Sequence, residues 1–189
     1  MGNVGFFGFS PRHDRQAGPA YVRKRRILVG SDVQAVDFAG LDFERNIYEC
    51  WFSVKRGAAA SAIACSVQMF YNDDSTITNY NYRSLNVVAT PTSASGNNGI
   101  ILLGVATAGT MFSGCFQTWK DLETGTVRTW CWTSWDTNTN SNWRGYMQRW
   151  NTVANPTKAT FGTYNSASGA AVVGIGTGSL FKLFEISDR

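Results

Sequence analysis

Tryptophan is concentrated in one part of this sequence. Six of the seven tryptophans fall within 32 residues, namely Trp119, Trp130, Trp132, Trp135, Trp143 and Trp150. An indole ring offers a flat apolar face, so such a cluster can stack against the apolar faces of sugar rings. The same rings can instead fill a hydrophobic core or a subunit interface, and strand alternation favours that interpretation for the set as a whole.

Two tryptophans are exceptions because they flank a polar loop. Trp135 and Trp143 stand on either side of residues 136–142, which read Asp-Thr-Asn-Thr-Asn-Ser-Asn. Polar loops lie on protein surfaces and often carry binding residues. We therefore predict a ligand-binding site formed by these two tryptophans and by the loop asparagines Asn138, Asn140 and Asn142.

Residues for common catalytic sites are missing or scattered. A serine hydrolase needs a base, yet His13 is the one histidine and lies in a polar N-terminal segment, and no G-x-S-x-G sequence occurs. Gly174–Gly178 lacks the Lys-Ser/Thr of a phosphate loop, so we interpret it as a turn between strands. The acidic candidates for glycoside cleavage sit at turn signals, where Asp is common: Asp73, Asp74, Asp121, Glu123 and Asp136. We predict no catalytic residues, with a carboxylate-based glycosidase as the enzymatic alternative.

The cysteine spacing does not fit a metal site. Cys50, Cys65, Cys115 and Cys131 are far apart, and no C-x-x-C pair is present. Zinc ligands are closely spaced in sequence, so we predict neither a metal nor a cofactor. Buried Cys behaves as a small hydrophobe, which is our interpretation of all four. If they are oxidised, three pairings are possible, and the spacing does not choose among them.

Short strands must position these residues. Gly, Thr, Ser and Asn are frequent, a composition that favours strands and turns. Alternation over 47–54 places Trp51 and Phe52 on opposite faces of a half-buried strand. Similar segments follow at 63–71, 76–90, 100–105, 111–119, 127–135, 143–152, 158–164, 170–175 and 180–186. We predict an all-β domain, an antiparallel β-sandwich or jelly roll of about 9–10 strands.

Charge marks off the N-terminal segment. Residues 1–30 contain six basic residues and one acidic residue, whereas the remainder of the chain has a net charge of −1. Exposed aromatic residues in such a segment need a covering partner. We predict an extended docking arm at 1–30 and a sandwich body at 31–189. The docking residues would be Phe6, Phe7, Phe9, Arg12, Arg15, Tyr21, Arg23, Lys24, Arg25 and Arg26.

Composition also excludes several classes of protein. Charged residues make up 16% and aromatic residues 14% of the chain, which argues against disorder. No apolar run approaches the roughly 18 residues of a membrane span, and the N-terminus lacks the order of a secretory signal. We expect synthesis in a cytoplasm and no membrane insertion. The basic run at 23–26 lacks aromatic interleaving and a reader motif, so we do not expect nucleic acid as a partner.

Two segments carry a resemblance to a known family. Val33–Leu41, followed by Asn46–Phe52, resembles the opening of a jelly-roll domain of bacteriophage tail-fibre and other virion proteins. Lys158–Phe161 and Gly178–Ile186 resemble the close of that domain, although Phe184 and Glu185 stand where the family usually has Tyr and Gly. The resemblance spans roughly residues 31–187 as a pattern.

The resemblance implies a non-enzymatic component of a phage virion, made in the host cytoplasm. It further implies a homo-oligomer, with a trimer favoured, whose N-terminal part attaches to other virion proteins. Our leading hypothesis is therefore a short tail or neck fibre of the receptor-binding type, with its body displayed outward and weak contacts to a host-surface glycan multiplied by copy number. The alternatives are a capsid decoration or neck protein and a free carbohydrate-binding module.

Overall fold

A computed structural model describes residues 20–58, 65–87, 92–96, 100–105, 111–136, 141–165, 168 and 170–187. Twelve strands lie within these ranges: β1 Ala20–Leu28, β2 Ala35–Ala39, β3 Asn46–Lys55, β4 Cys65–Tyr71, β5 Tyr80–Val87, β6 Thr92–Gly96, β7 Ile100–Val105, β8 Met111–Lys120, β9 Val127–Asp136, β10 Ser141–Trp150, β11 Lys158–Asn165 and β12 Leu180–Ser187. A single-turn 3-10 helix, Ile77–Asn79, leads into β5.

The strands form two antiparallel sheets. The larger sheet has the order β1-β12-β3-β8-β9-β10-β5-β6, and the smaller has the order β2-β11-β4-β7. Every neighbouring pair in both sheets is antiparallel. The predicted all-β class is confirmed, and the arrangement is that of a β-sandwich with sheets of unequal width.

Alternation along each strand decides which residues enter the space between the sheets. In β3, Tyr48, Cys50 and Phe52 are buried, whereas Trp51 on the other face is exposed. The predicted division of this strand into two faces is therefore confirmed. A strand with one apolar and one mixed face is stable only where the apolar face packs on another layer.

Phe161 is the aromatic residue that joins the two layers. It lies on β11 of the smaller sheet and is fully buried. Its ring contacts those of Phe116, Phe181 and Phe52 on the larger sheet, with centroid separations of 5.1, 5.5 and 5.8 Å. Aromatic pairs at such distances stabilise the folded state beyond the gain from burying their apolar surface. This cluster fixes the position of β11 over β3, β8 and β12.

A buried hydroxyl network crosses between the sheets beside this cluster. The Tyr71 hydroxyl on β4 lies 2.6 Å from Thr118 Oγ1 and 2.5 Å from Thr129 Oγ1. These threonines belong to β8 and β9, and Thr129 also donates to Thr118 over 3.2 Å. Burial raises the pKa of the Tyr71 phenol, so the hydroxyl remains protonated and able to donate.

The glycine-rich segment 174–178 is a turn that leads into β12, as predicted. Gly176 packs against the backbone of Arg56, where an added Cβ would lie 2.7 Å from the carbonyl oxygen. Asp32 holds the turn because its carboxylate accepts hydrogen bonds from the Thr177 amide over 2.9 Å and the Ala58 amide over 2.7 Å. These backbone hydrogen bonds keep the pKa of Asp32 below its ordinary value, and the bond from Thr177 has the largest effect.

Several predicted strand boundaries differ from the structure. The prediction of a strand at 170–175 is wrong, because Ala171 and Ile175 make isolated bridges only. The segment at 76–90 begins with the 3-10 helix, and β1, β2 and β6 lie outside the segments predicted as strands. In the predicted arm 1–30, residues 20–28 form β1, the edge strand of the larger sheet, while residues 1–19 lie outside the described residues.

Removing the Tyr71 hydroxyl should destabilise the sandwich. Tyr71→Phe leaves Thr118 and Thr129 without their shared partner in a buried site, and we expect a loss of about 1–3 kcal/mol in the free energy of unfolding, measured by urea denaturation. Tyr82→Phe is the control because Tyr82 is half-buried on β5, and it should change stability by less than about 0.5 kcal/mol. Equal stability of both variants would show that the network does not join the sheets energetically.

Candidate functional site

The outward face of the larger sheet carries a row of residues fixed by strand register. Trp51 on β3 pairs with Cys115 on β8, which pairs with Trp132 on β9. Trp132 in turn pairs with Gly145 on β10. Directly paired residues in an antiparallel ladder share a face. The two tryptophans therefore stand on one face, about 10 Å apart at their backbones, with a small residue between them.

These residues line a groove of about 540 Å³ on that face. The lining consists of Trp51, Phe52, Ser113, Gly114, Cys115, Trp132, Thr133, Ser134 and Trp143. Trp51 forms one wall, and Trp132 and Trp143 lie on the other side of the small floor residues. Both Trp51 and Trp143 are 54% exposed. Exposed apolar surface of this kind, collected in a concave site, is typical of ligand binding.

Trp51 and Trp132 each have a neighbour that fixes the orientation of the ring. The Trp51 Nε1 donates a hydrogen bond of 2.6 Å to Glu49 Oε1 on the same face. Trp132 lies over Gly145, where an added Cβ would come within 2.7 Å of Cζ3. Trp130 contacts Trp132 edge-on, with centroids 5.6 Å apart and planes at 83°. The rings are thus ordered before any ligand arrives, which lowers the entropic cost of binding.

The floor of the groove is small and uncharged. Ser113 donates to Ser53 Oγ over 3.4 Å, and the Ser134 hydroxyl lies 3.5 Å from the Ser113 carbonyl oxygen. These hydroxyls can exchange such weak contacts for hydrogen bonds to a ligand. Burial raises the pKa of the Cys115 thiol, so it remains protonated and is a poor nucleophile. The chemistry available here is stacking and hydrogen bonding.

Of the predicted ligand-binding residues, the structure describes the side chain of Trp143 alone. Trp143 is exposed and lines the groove. Trp135 pairs with Phe112 in the β8–β9 ladder, and Asn142 pairs with Trp135, but the side chains of both lie outside the described residues. Asn138 and Asn140 also lie outside them.

Sequence reasoning did not select Trp51 or Trp132 as ligand-contacting residues. Trp51 lies 68 residues before Trp119, the first tryptophan of the cluster, and enters the site through strand pairing alone. The alternation of β3 already placed it on the face opposite Phe52, which was the available signal. Trp130 and Trp132 share the outward face, as their spacing of two predicts.

One tryptophan of the cluster lies in the core and not on the outward face. Trp150 is 2% exposed and stacks on Tyr80, so the core interpretation is confirmed for it. Its Nε1 donates 2.7 Å to Asp74 Oδ2. Burial on its own raises the pKa of Asp74, but hydrogen bonds from Trp150, Asn79 and Thr76 outweigh it and bring that pKa below its ordinary value.

The turn interpretation of the carboxylates holds for those with described contacts. Asp121 accepts hydrogen bonds from the amides of Glu123 and Thr124, over 3.0 and 3.2 Å, within the β8–β9 turn. It also pairs with Arg128 over 2.5 Å. The Asp136 side chain lies outside the described residues.

The structure describes the predicted docking segment only from residue 20 onward. Phe6, Phe7, Phe9, Arg12 and Arg15 lie outside the described residues, as does the side chain of Tyr21. The basic run, residues 23–26, is exposed on β1. Lys24 forms an ion pair of 2.9 Å with Glu185 on β12, at an irregularity in the register. Charged edge strands resist unwanted pairing with other chains, which is one consequence of this arrangement.

Three of the cysteines are free thiols inside strands. Cys50 and Cys131 are buried and Cys115 is half-buried, which fits the predicted role as small hydrophobes. The Cys65 side chain lies outside the described residues. In the described part of the chain, no three His, Cys, Asp or Glu side chains are grouped so as to hold a metal ion. No helix within that part has the length and apolarity to cross a membrane.

Comparisons with protein-family models, curated proteins and solved structures return no match for this chain. The resemblance to virion proteins therefore stays a prediction, and the site has to be interpreted from its own geometry.

Adding one methyl group at Gly145 should displace the Trp132 ring. The Cβ of Gly145→Ala would meet the far end of that side chain, so the ring moves while the ladder stays intact. We expect the exciton signal of the Trp130–Trp132 pair in circular dichroism to weaken, with stability changed by less than about 1 kcal/mol.

Gly30→Ala serves as the control, because an added Cβ there meets no atom within 4 Å. An unchanged exciton signal in Gly145→Ala would mean that Gly145 does not set the position of Trp132.

Proposed function

We propose that this protein is a non-enzymatic recognition protein that binds a saccharide in the groove between Trp51 and Trp132. The observation that carries this proposal is the pairing of two fixed indole walls with an uncharged floor bearing hydroxyl groups. A sugar ring has apolar faces and a rim of hydroxyl groups. Indole rings can stack on the apolar faces, and serine hydroxyls can form hydrogen bonds with the hydroxyl groups of the rim.

The dimensions of the groove support a ligand of one or a few sugar units. Its volume of about 540 Å³ lies within the range of small-molecule sites. The wall residues are separated by two strand spacings, or about 10 Å at the backbone. A stacked ring fits between them and leaves the groove open at its ends for neighbouring units.

The placement of the site on strands also favours recognition over catalysis. Its wall and floor residues belong to four adjacent strands, β3, β8, β9 and β10, of one hydrogen-bonded ladder. Sites built on rigid elements hold their geometry well. The lining includes no carboxylate or histidine that could act as an acid or base.

We further propose that this binding serves host attachment by a phage virion protein. Many copies on one particle convert weak binding at a shallow groove into strong attachment, so no copy needs a deep pocket. Residues 1–19, which precede the edge strand β1, are the segment proposed to dock on other virion proteins, within a homo-oligomer for which a trimer is favoured.

Removing either wall tryptophan should weaken saccharide binding. We expect the full chain to bind members of a glycan array, and Trp51→Ala and Trp132→Ala each to weaken the best of these, measured by titration calorimetry, by at least about tenfold. The loss follows from removing one stacking face.

Trp119→Ala is the matched control, because Trp119 lies on β8 about 14 Å along the strand from Cys115 and does not line the groove. Its affinity should match that of the unmodified chain. Binding that survives the loss of both wall tryptophans, or a chain that binds no glycan, would contradict the proposal.

A further inference from the structure

Basic residues flank the Trp51 wall on the outward face. Lys182 on β12 pairs directly with Trp51, and Arg26 on β1 pairs with Lys182. These three residues therefore form one row on one face of the sheet, with neighbouring positions about 4.8 Å apart. Arg23 stands two strand residues from this row, on the same face, through its pairing with Phe184. One side of the groove is thus bordered by cations.

The opposite flank carries cations as well. Arg83 on β5 pairs with Met147, which pairs with Trp130 on the outward face. Arg149, two residues further along β10, pairs with Arg128. Arg83 and Arg149 are both exposed. The groove therefore lies between two basic borders on one sheet.

Few acidic groups offset these cations. Among the side chains that the structure describes on this face, the acidic ones are Glu49, whose Oε1 accepts the hydrogen bond from Trp51, and Asp121, which pairs with Arg128 at the end of the sheet. Ion pairs in the described part of the chain engage Lys24, Arg45, Lys120, Arg128 and Lys158. Arg23, Arg26, Lys182, Arg83 and Arg149 are not among them. A surface with unbalanced charge of one sign attracts ligands of the opposite sign.

We infer that the saccharide bound in this groove is anionic, a glycan bearing carboxylate, sulfate or phosphate groups. This inference rests on the proposed function. One ring stacks between Trp51 and Trp132, and an acidic substituent at the rim reaches Lys182 and Arg26. Further acidic units extend toward Arg83. The borders select for charge, while the uncharged lining accepts the ring itself.

The distribution of charge favours a glycan over a polynucleotide. The residues that line the groove are uncharged, and the cations lie only at its borders. A single-stranded nucleic acid carries a phosphate at every unit and needs cations that track its backbone beside each stacked base. A glycan can carry its acidic groups at wider spacing, which matches borders separated by several strands.

Two matched pairs of probes test the inference. Oligogalacturonate is compared with its methyl ester, and heparin oligosaccharide with its desulfated, N-acetylated form, by titration calorimetry on the full chain. In at least one pair we expect the acidic form to bind at least about tenfold more tightly than the neutral form, and this preference to decrease as salt is raised.

Substitutions test whether residues at the groove and its border cause the preference for the acidic form. Arg26→Ala with Lys182→Ala should abolish the preference for the acidic form, whereas Trp51→Ala should weaken both forms. The control, Arg25→Ala with Arg45→Ala, removes two charges elsewhere: Arg25 pairs with Leu183 on the opposite face, and the Arg45 side chain is 84% exposed before β3. It should retain the preference.

The outcomes separate this inference from the proposed function. Equal or tighter binding of the neutral forms overturns the inference and leaves saccharide binding intact. Failure of every saccharide probe overturns both. Acidic binding that is not weakened in Trp51→Ala, or tighter binding of oligothymidylate than of any glycan probe, shows attraction to general negative charge and overturns the inference.

Discussion

Register in the ladder β3–β8–β9–β10 determines what each side of the larger sheet presents. Side chains alternate between faces, so a slip of one residue would exchange the two faces of a strand. In β3 such a slip would bring Trp51 into the core and expose Phe52. In β9 it would exchange Trp132 with Cys131. The core and the groove are therefore two consequences of one set of strand pairings.

The smaller sheet holds that register in place. Phe161 can pack on Phe52, Phe116 and Phe181 only when all three face inward. The Tyr71 hydroxyl adds a directional requirement, since it must reach both Thr118 and Thr129. Apolar packing tolerates some rearrangement, whereas a buried hydroxyl network does not. Binding on the outward face thus depends on side chains that never contact a ligand.

Local alternation was sufficient to predict the fold class and the division of β3 into two faces. It could not predict the site, because the site is made by pairing between distant segments: Trp51 meets Trp132 only through β8. The edge strand β1 was missed because its run of four basic residues has no apolar alternation of its own and depends on β12 for pairing. The segment at 170–175 shows the reverse case. Its apolar residues predict a strand, but Ile175 is buried as part of a loop that makes only isolated bridges.

Indole resonances test the central claim most directly, because each tryptophan Nε1–H reports on its own surroundings. The chain is labelled with nitrogen-15 at tryptophan, the resonances are assigned by substitution, and a glycan that binds is titrated in. The account predicts that Trp51, Trp132 and Trp143 shift together, while Trp150, buried and bonded to Asp74, stays in place. Shifts confined to tryptophans outside the groove, with Trp51 and Trp132 unchanged, would contradict it.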